Sequence, residues 1–260
     1  ITTGASAVKP PIKNIDLENV FTLKEFSDGI VLKKAMMKPE NKRVVIIGAG
    51  YIGLEAAEAA VNLKKEVRII QLGDRVIPGS FDKEITDIME EEIRGHKDVF
   101  LNLDEAVSEF EGKDGRVSGV KTNKGVYPAD IVILATGVRP NTKFLEGTGI
   151  ETLKNGAIII DGRGRSSIKD IYAAGDCATV YHKLKKENVY IPLATTSNKI
   201  GRVVGENLAG KDREFKGTLW SAAIKVLDLE AGRTGISSDE AEKMGINYKS
   251  VFVHDKNQTS

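Results

Sequence analysis

The chain has 260 residues, of which 41% are hydrophobic and 26 are glycine. This length and composition suit two modest α/β domains, or one domain with pieces of others. The 38 basic and 37 acidic residues nearly cancel, which argues against a nucleic-acid or membrane-surface binder, because such a protein needs a basic face. No apolar run approaches the roughly 20 residues that span a bilayer. The single cysteine, Cys177, excludes an internal disulfide framework and favours a reducing cytoplasm.

Hydrophobic periodicity predicts an alternation of strands and helices in the first half of the chain. The predicted elements are a helix over 23–37 with Phe26, Ile30 and Met37 as its apolar residues, a strand over 44–47, a helix ending near 63, a strand over 66–72, a helix over 82–95, strands over 99–102, 106–111 and 117–122, and a buried strand over 130–137. The turn GKDG, 112–115, predicts a hairpin.

The second half has shorter predicted elements. They are strands over 157–160 and 171–174, a helix over 196–208, a strand over 222–227, a helix capped by Ser237 or Ser238, and a terminal strand over 248–253. Because the first residues, ITTGAS, resemble a strand end and the last predicted strand has no partner after it, the sequence predicts a fragment of a longer protein.

A glycine loop follows the strand over 44–47. In VVIIGAGYIGLE, Gly48, Gly50 and Gly53 have G-x-G-x-x-G spacing between a predicted strand and a predicted helix. The first glycine allows a tight turn, the second lets the backbone approach a pyrophosphate, and the third allows helix and strand to pack closely. The helix N-terminus then binds the phosphates. The loop predicts a dinucleotide site, the alternative being a tight turn without a ligand.

The next predicted strand ends where the ribose of a dinucleotide is usually bound. An acidic residue normally accepts the ribose 2′-hydroxyl there, but this chain has Gln71. Glutamine can hydrogen-bond a ribose and does not repel a 2′-phosphate, which Arg68 and Arg75 could neutralise. Both arginines could equally be solvated surface residues, so the sequence leaves NADH and NADPH open.

With this loop, the stretches DIVILATGVRPNT (130–142) and DIYAAGDCA (170–178), in this order, resemble the flavin-dependent pyridine nucleotide-disulfide oxidoreductases. The resemblance covers essentially the whole chain and is greatest to the coenzyme A-disulfide reductase and NADH oxidase branch. It implies an α/β fold in which a Rossmann-like NAD(P)-binding domain (23–138) is inserted into a partial FAD-binding domain (1–22 and 139–212), followed by the start of an α+β dimerisation domain (213–260).

The resemblance also implies roles for individual residues. Tyr51 matches an aromatic lid over the flavin, Glu55 an acid near the nicotinamide, and Asp176 a carboxylate that binds the ribityl chain of FAD. A helix N-terminus near Thr196 would stabilise the negative charge of a reduced flavin. The candidate cofactor-binding residues are therefore Gly48, Ala49, Gly50, Tyr51, Ile52, Gly53, Glu55, Gln71, Arg75, Thr136, Gly137, Gly175, Asp176, Ala194, Thr195 and Thr196.

The activity implied by the resemblance is hydride transfer from nicotinamide C4 to flavin N5. Electrons would then pass to a cysteine upstream of this chain and on to a disulfide, a persulfide or dioxygen. The full-length parent would be a cytoplasmic homodimer with a small-molecule electron acceptor, and the fragment alone would be inactive. Alternatives are an isolated non-catalytic dinucleotide-binding module and an NADH-dependent reductase of a carrier protein such as rubredoxin. A methyltransferase that binds S-adenosylmethionine would leave DIYAAGDCA unexplained.

Residues with reactive side chains are few, and no metal site is predicted. Cys177 has no resolving partner and no neighbouring His or Lys placed to lower its pKa, so it is expected to pack as a small apolar residue. The three histidines, His96, His182 and His254, stand alone in the sequence and are expected on the surface.

Overall fold

The structure, a computed structural model, describes residues 1–255. Its helices are α1 (Phe26–Met37), α2 (Tyr51–Asn62), α3 (Lys83–Gly95), α4 (Ala194–Leu208) and α5 (Ser238–Lys243), with a 3-10 turn at Lys143–Leu145. Its strands are β1 (Ala5–Ala7), β2 (Val20–Thr22), β3 (Arg43–Ile47), β4 (Glu66–Ile70), β5 (Val99–Asn102), β6 (Val107–Lys113), β7 (Arg116–Thr122), β8 (Val126–Pro128), β9 (Ile131–Leu134), β10 (Val138–Pro140), β11 (Val180–His182), β12 (Glu187–Val189), β13 (Ala222–Val226) and β14 (Leu229–Arg233).

The centre of the molecule is a parallel sheet of five strands in the order β2-β9-β3-β4-β5. Side chains alternate across β3, so Val44 and Ile46 face one side and Val45 and Ile47 the other. Helices α1 to α3 cover the first side, and the antiparallel sheet β6-β7-β8 covers the second. Burial on both faces explains why β3, β4 and β9 are nearly continuous apolar runs. The expected Rossmann-like α/β core is confirmed.

A second core is formed by the chain after β10. Ile158, Ala173, Cys177 and Ile200 are buried together there, with α4 as one wall. The thiol of Cys177 is fully buried and donates to the carbonyl of Ala174 at 3.3 Å. The expectation that Cys177 packs as a small apolar residue is therefore confirmed.

The C-terminal hairpin β13–β14 packs on the helix layer of the parallel sheet. Ile224 and Val226 join the core that contains α2 and α3. Of the two serines that the sequence offered as the cap of helix α5, Ser237 is the N-cap. It forms a capping box, in which the Ser237 hydroxyl accepts from the backbone of Glu240 and the Glu240 carboxylate accepts from the backbone of Ser237. The last five positions of the predicted dimerisation segment, 256–260, lie outside the described residues.

Helix α1 exposes the residues that the sequence pattern assigned to its apolar face. Phe26 is 87% exposed and Met37 64%. The helix begins at Phe26 rather than at residue 23 and buries Leu32, Ala35 and Met36 instead. The expectation was wrong because the face that a helix buries is decided by the sheet it packs against, and apolar residues occur on both faces of α1.

Three predicted strands do not form. The stretches 157–160 and 171–174 make single bridges, such as that between Ile158 and Ala178, instead of continuous ladders. Residues 248–253 are exposed and have no regular secondary structure. An apolar run becomes a strand only where a neighbouring strand pairs with a continuous run of its backbone N–H and C=O groups, and within residues 1–255 these three stretches have at most isolated bridges.

None of the described helices is long and apolar enough to cross a lipid bilayer.

Candidate dinucleotide and flavin sites

The glycine loop joins β3 to α2 at the carboxyl edge of the parallel sheet. Gly48 has φ +107°, and a Cβ there would lie 2.5 Å from the carbonyl oxygen of Ala135. At Gly53 a Cβ would lie 2.0 Å from the carbonyl oxygen of Gly48. Both contacts are far below van der Waals distance, so the turn and the close approach of α2 require glycine at these two positions.

Gly50 differs from these two glycines. It is the N-cap of α2 and provides no side-chain cap, so the first N–H groups of the helix lack an intrahelical partner. A Cβ at Gly50 would meet no protein atom within 4 Å. The loop therefore leaves open space in front of a positive helix end, which is the arrangement that binds a pyrophosphate.

Ala49 is held from two sides by the loop that follows β4. Its N–H donates to the side-chain oxygen of Gln71 at 3.0 Å, and its carbonyl accepts from the N–H of Ile77 at 2.9 Å. Since the side-chain oxygen of Gln71 is used in this way, its NH₂ group remains to donate to a ligand. The structure thus brings Gln71 into contact with the glycine loop, as a ribose-binding residue requires.

The two arginines considered for a 2′-phosphate have different surroundings. The Arg68 guanidinium lies over the rings of Phe100 and Tyr127, at 4.7 and 4.2 Å from their centroids, and donates to Asn102 at 2.7 Å. Arg68 therefore already stacks on two aromatic rings. Arg75 instead lies in the loop that is attached to Ala49.

Tyr51 begins α2, and its ring is half-buried beside Phe81, with ring centroids 6.5 Å apart. Its buried hydroxyl makes no hydrogen bond of normal geometry with any described residue, although Ser80 lies beside it. Burial raises the pKa of this hydroxyl, against smaller opposing effects of Ser80 and Arg233. Along the same helix, Glu55 is exposed and Ile52 is partly buried.

A second turn of the site follows β9 and touches the glycine loop through Ala135. The hydroxyl of Thr136 donates to the carbonyl of Val8 at 2.8 Å, and the N–H of Val8 donates to the carbonyl of Gly137 at 2.9 Å. Gly137 has φ +97° and open space at its Cβ position. Thr136 and Gly137 therefore attach the turn after β9 to the N-terminal segment at Val8, and the backbone of Gly137 has open space beside it.

Asp176 is the centre of the predicted flavin contacts. Its carboxylate accepts from Lys24 at 3.2 Å and from the Ser197 hydroxyl at 3.0 Å, and its backbone carbonyl accepts from the hydroxyl of Tyr190 at 3.0 Å. Burial, followed by the negative charge of Asp176, raises the pKa of Tyr190 to about 12. The preceding Gly175 has φ +86° and open space at its Cβ position.

The Ser197 contact brings the N-terminus of α4 to Asp176. Ala194 and Thr195 are exposed, and the N-cap Leu193 provides no side-chain hydrogen bond. Thr196 is buried, and its hydroxyl donates to the carbonyl of Leu193 at 2.8 Å. The free N–H groups of the first turn therefore point out of a helix end that is otherwise uncapped.

Several residues of these sites escaped sequence reasoning. Lys24 comes from the segment before α1, 152 positions from Asp176, and no local signal marks it. Ile77 contributes only backbone, which a sequence pattern does not reveal. Ser197 could have been found, because a serine in the first turn of a helix is available to a carboxylate near that helix end.

The expectation that all three histidines lie on the surface is wrong for His182, which is fully buried. Its Nδ1 accepts from the backbone of Lys185 at 3.3 Å, and its Nε2 has no partner among the described residues. Burial, followed by the positive charge of Lys185, lowers its pKa. Within residues 1–255, no three His, Cys, Asp or Glu side chains come together in a way that could hold a metal ion.

Comparison with known proteins identifies relatives for nearly the whole chain. Residues 1–201 match the family described as pyridine nucleotide-disulphide oxidoreductase. The NAD(P)H sulfur oxidoreductase (CoA-dependent) of Pyrococcus abyssi is 43% identical over 96% of this chain and 55% of its own length. The chain thus spans about half the length of the curated relatives it matches.

Solved structures give the same result. The water-forming NADH oxidase from Lactobacillus brevis, solved with NADH bound, has a TM-score of 0.90 and 38% identity over 98% of this chain and 55% of its own. The NAD-dependent persulfide reductase from A. fulgidus has a TM-score of 0.89 and 36% identity over 95% of this chain and 45% of its own.

Proposed function

Because the chain belongs to the pyridine nucleotide-disulphide oxidoreductase family, we propose that it provides the NAD(P)H site and part of the FAD site of a flavoprotein oxidoreductase. Similar proteins include an NAD(P)H sulfur oxidoreductase and a water-forming NADH oxidase. The electron acceptor of the whole protein is accordingly a disulfide or persulfide of the coenzyme A type, or dioxygen.

The observation that carries the proposal is the geometry of the glycine loop at Gly48, Gly50 and Gly53. Two of these glycines are required by contacts below 3 Å, while the third leaves open space in front of the N-terminus of α2. A turn without a ligand would need glycine for the close approach alone and would gain nothing from an uncapped helix end at Gly50. The glycine loop therefore fits a dinucleotide pyrophosphate, with Gln71 at the ribose.

The residues around Asp176 fit part of a flavin. A carboxylate that already accepts from Lys24 and Ser197 retains acceptor capacity for a hydroxyl of the ribityl chain. The uncapped N-terminus of α4 beside it suits a group that becomes negatively charged on reduction. When bound, the two cofactors supply the hydride chemistry, and the chain's residues hold and orient them.

We extend the proposal to the organisation of the chain. Residues 23–138 are the nucleotide domain, 1–22 and 139–212 are two segments of the flavin domain, and 213–260 begin a dimerisation domain. In keeping with the family to which the chain belongs, we propose that the whole protein is a cytoplasmic homodimer.

The test uses the purified 260-residue chain. We expect a colourless protein that binds NADH or NADPH, measured by the fluorescence of the reduced nicotinamide during titration. Absence of binding to either cofactor would contradict the dinucleotide site. A yellow preparation whose flavin absorbance bleaches on addition of NADH would contradict the expectation that this chain alone is inactive.

A binding module without catalysis is the second candidate for the isolated chain. It is favoured by the sequence, which contains one G-x-G-x-x-G loop, whereas the flavin domain of this family opens with its own loop. Adding FAD to the purified chain tests this candidate. A module binds NADH but does not oxidise it with FAD present, whereas oxidation of NADH would show that the chain retains a working flavin site.

A further inference from the structure

Arg75 lies within reach of the ribose end of the dinucleotide site. It belongs to the loop between Gln71 and Ile77, whose two ends hydrogen-bond the same residue, Ala49, at 3.0 and 2.9 Å. Three residues of this short loop separate Gln71 from Arg75. A guanidinium from such a loop can reach a 2′-phosphate on the ribose that Gln71 binds.

The guanidinium of Arg75 is already paired. It donates to the carboxylate of Asp239 at 3.0 Å, and the carboxylate of Asp74 lies 3.7 Å away. Asp74 is 73% exposed and Asp239 39%. Since water screens an exposed pair more strongly, Asp239 is the principal partner of Arg75.

Asp239 is held in position by the C-terminal segment. It lies in the first turn of α5, where the neighbouring Ser238 N–H donates to Asp82 at 2.6 Å. In the same turn, the carboxylate of Glu240 accepts from Lys185 at 2.6 Å. Helix α5 is thus attached to the nucleotide-binding half of the molecule and to the segment around β11, and it fixes the carboxylate that binds Arg75.

We propose that Asp239 is a specificity-determining residue of the dinucleotide site, because it withholds the Arg75 guanidinium from the 2′-phosphate of NADPH. This inference rests on the proposed function. NADH carries no 2′-phosphate and does not need Arg75, whereas NADPH must compete with Asp239 for it. The C-terminal segment, which lies outside the glycine loop, thereby sets the preference of the site toward NADH.

The test compares NADH and NADPH binding to the wild-type chain and to Asp239→Asn, by fluorescence titration at one fixed salt concentration. Asparagine keeps the shape of the side chain and suits a first helical turn, but it removes the charge that holds Arg75. We expect NADPH to bind about threefold to tenfold more tightly to the variant. NADH affinity should change less than about twofold, because it carries no group for the released Arg75.

Two further variants test whether the gain in NADPH affinity comes from the release of Arg75. Glu58→Gln removes the 2.6 Å ion pair between Glu58 and Lys225, which also attaches the C-terminal hairpin to α2 but does not touch Arg75. It should leave the ratio of the two affinities at the wild-type value. In the double variant Asp239→Asn with Arg75→Gln, the gain in NADPH affinity should disappear.

The outcomes separate the inference from the proposed function. If the wild type binds neither cofactor, the proposed dinucleotide site is itself contradicted. If the wild type binds NADH but Asp239→Asn leaves the NADPH affinity unchanged or weaker, the inference about Asp239 is overturned and the site stands. A gain that Glu58→Gln reproduces would assign the effect to loosening of the hairpin and would also overturn it.

Discussion

The side-chain oxygen of Gln71 accepts a hydrogen bond from the backbone N–H of Ala49 at 3.0 Å, so the residue at the end of β4 is fastened to the glycine loop. This contact orients the carboxamide so that its NH₂ group is the part left for a ligand. A donor in this position tolerates a 2′-phosphate, whereas an acidic residue would accept from the N–H of Ala49 and repel the phosphate.

The variant Gln71→Glu should therefore shift the cofactor preference of the chain toward NADH. We expect NADPH affinity to fall about tenfold because of like-charge repulsion, with NADH affinity kept or improved. Fluorescence titration with each cofactor gives the ratio of the NADPH affinity to the NADH affinity. Asn62→Asp, which adds the same charge at the far end of α2, serves as the control. An unchanged ratio in Gln71→Glu would mean that residue 71 does not contact the ribose.

Gly53→Ala should damage both the fold and the site. Its Cβ would lie 2.0 Å from the carbonyl oxygen of Gly48, so either the turn or α2 must move. We expect a loss of about 1–3 kcal/mol in the free energy of unfolding, as for other overpacked positions, together with a loss of NADH binding. Urea unfolding and cofactor titration measure the two effects.

Gly205→Ala is the matched control for this variant. It also lies inside a helix, α4, but its Cβ meets no atom within 4 Å. It should leave binding unchanged and stabilise the chain by about 0.5–1 kcal/mol. If Gly53→Ala behaved in the same way as this control, the close approach of α2 to the loop would be disproved.

Asp176 and Lys24 should be coupled energetically. Their side chains are 22% and 26% exposed and 3.2 Å apart, which is more protected than a surface pair. A double-mutant cycle with Lys24→Gln and Asp176→Asn should give a coupling of about 0.5–1 kcal/mol in urea unfolding. The pair Lys9–Asp16, which is 55% and 83% exposed, should give less. Additive effects at Lys24 and Asp176 would contradict the ion pair.

His182 should make stability depend on pH near neutrality. Its pKa is lowered in the folded chain by burial and by Lys185 and Arg233, although Glu240 and Glu187 oppose the shift. The unfolded chain then binds a proton more readily. The contribution of neutral His182 is therefore complete above about pH 6.5 and is lost as the pH falls through the lower, folded-state pKa.

The measurement is the free energy of unfolding between pH 7.5 and pH 5 for the wild type and for His182→Gln. The wild type should lose stability more steeply on acidification than the variant. His254→Gln, at an exposed position, should follow the wild type. Parallel curves for the wild type and His182→Gln would show that His182 does not titrate differently on folding.

Features that depend on a few neighbouring residues were predictable from the sequence. The capping box of Ser237 and Glu240 was predictable because both partners lie within one helical turn. The alternation of β3 and β4 with α2 and α3 followed from apolar runs and glycine turns for the same reason. The glycine loop between β3 and α2 was predictable because Gly53 and the Gly48 carbonyl that it approaches lie five residues apart within the loop itself.

Features that depend on distant partners were not predictable. Phe26 and Met37 fit a helical period but face solvent, because the sheet receives the opposite face of α1. His182 looked like a surface residue, yet it is fully buried, and an isolated bridge joins its backbone to that of Thr218. Arg75 was a candidate for a 2′-phosphate or a solvated surface residue, and only the folded chain reveals that Asp239, 164 positions away, holds it.

The sequence by itself determined the alternation of β3 and β4 with α2 and α3, the glycine loop and the family, because turns, caps and apolar periods are encoded within one or two turns of chain. Only the tertiary structure decided which charges meet at the two candidate sites. Ion pairs such as Arg75–Asp239 and Lys24–Asp176 join segments more than 150 residues apart, and their formation depends on how the hairpin, the helices and the sheet pack together.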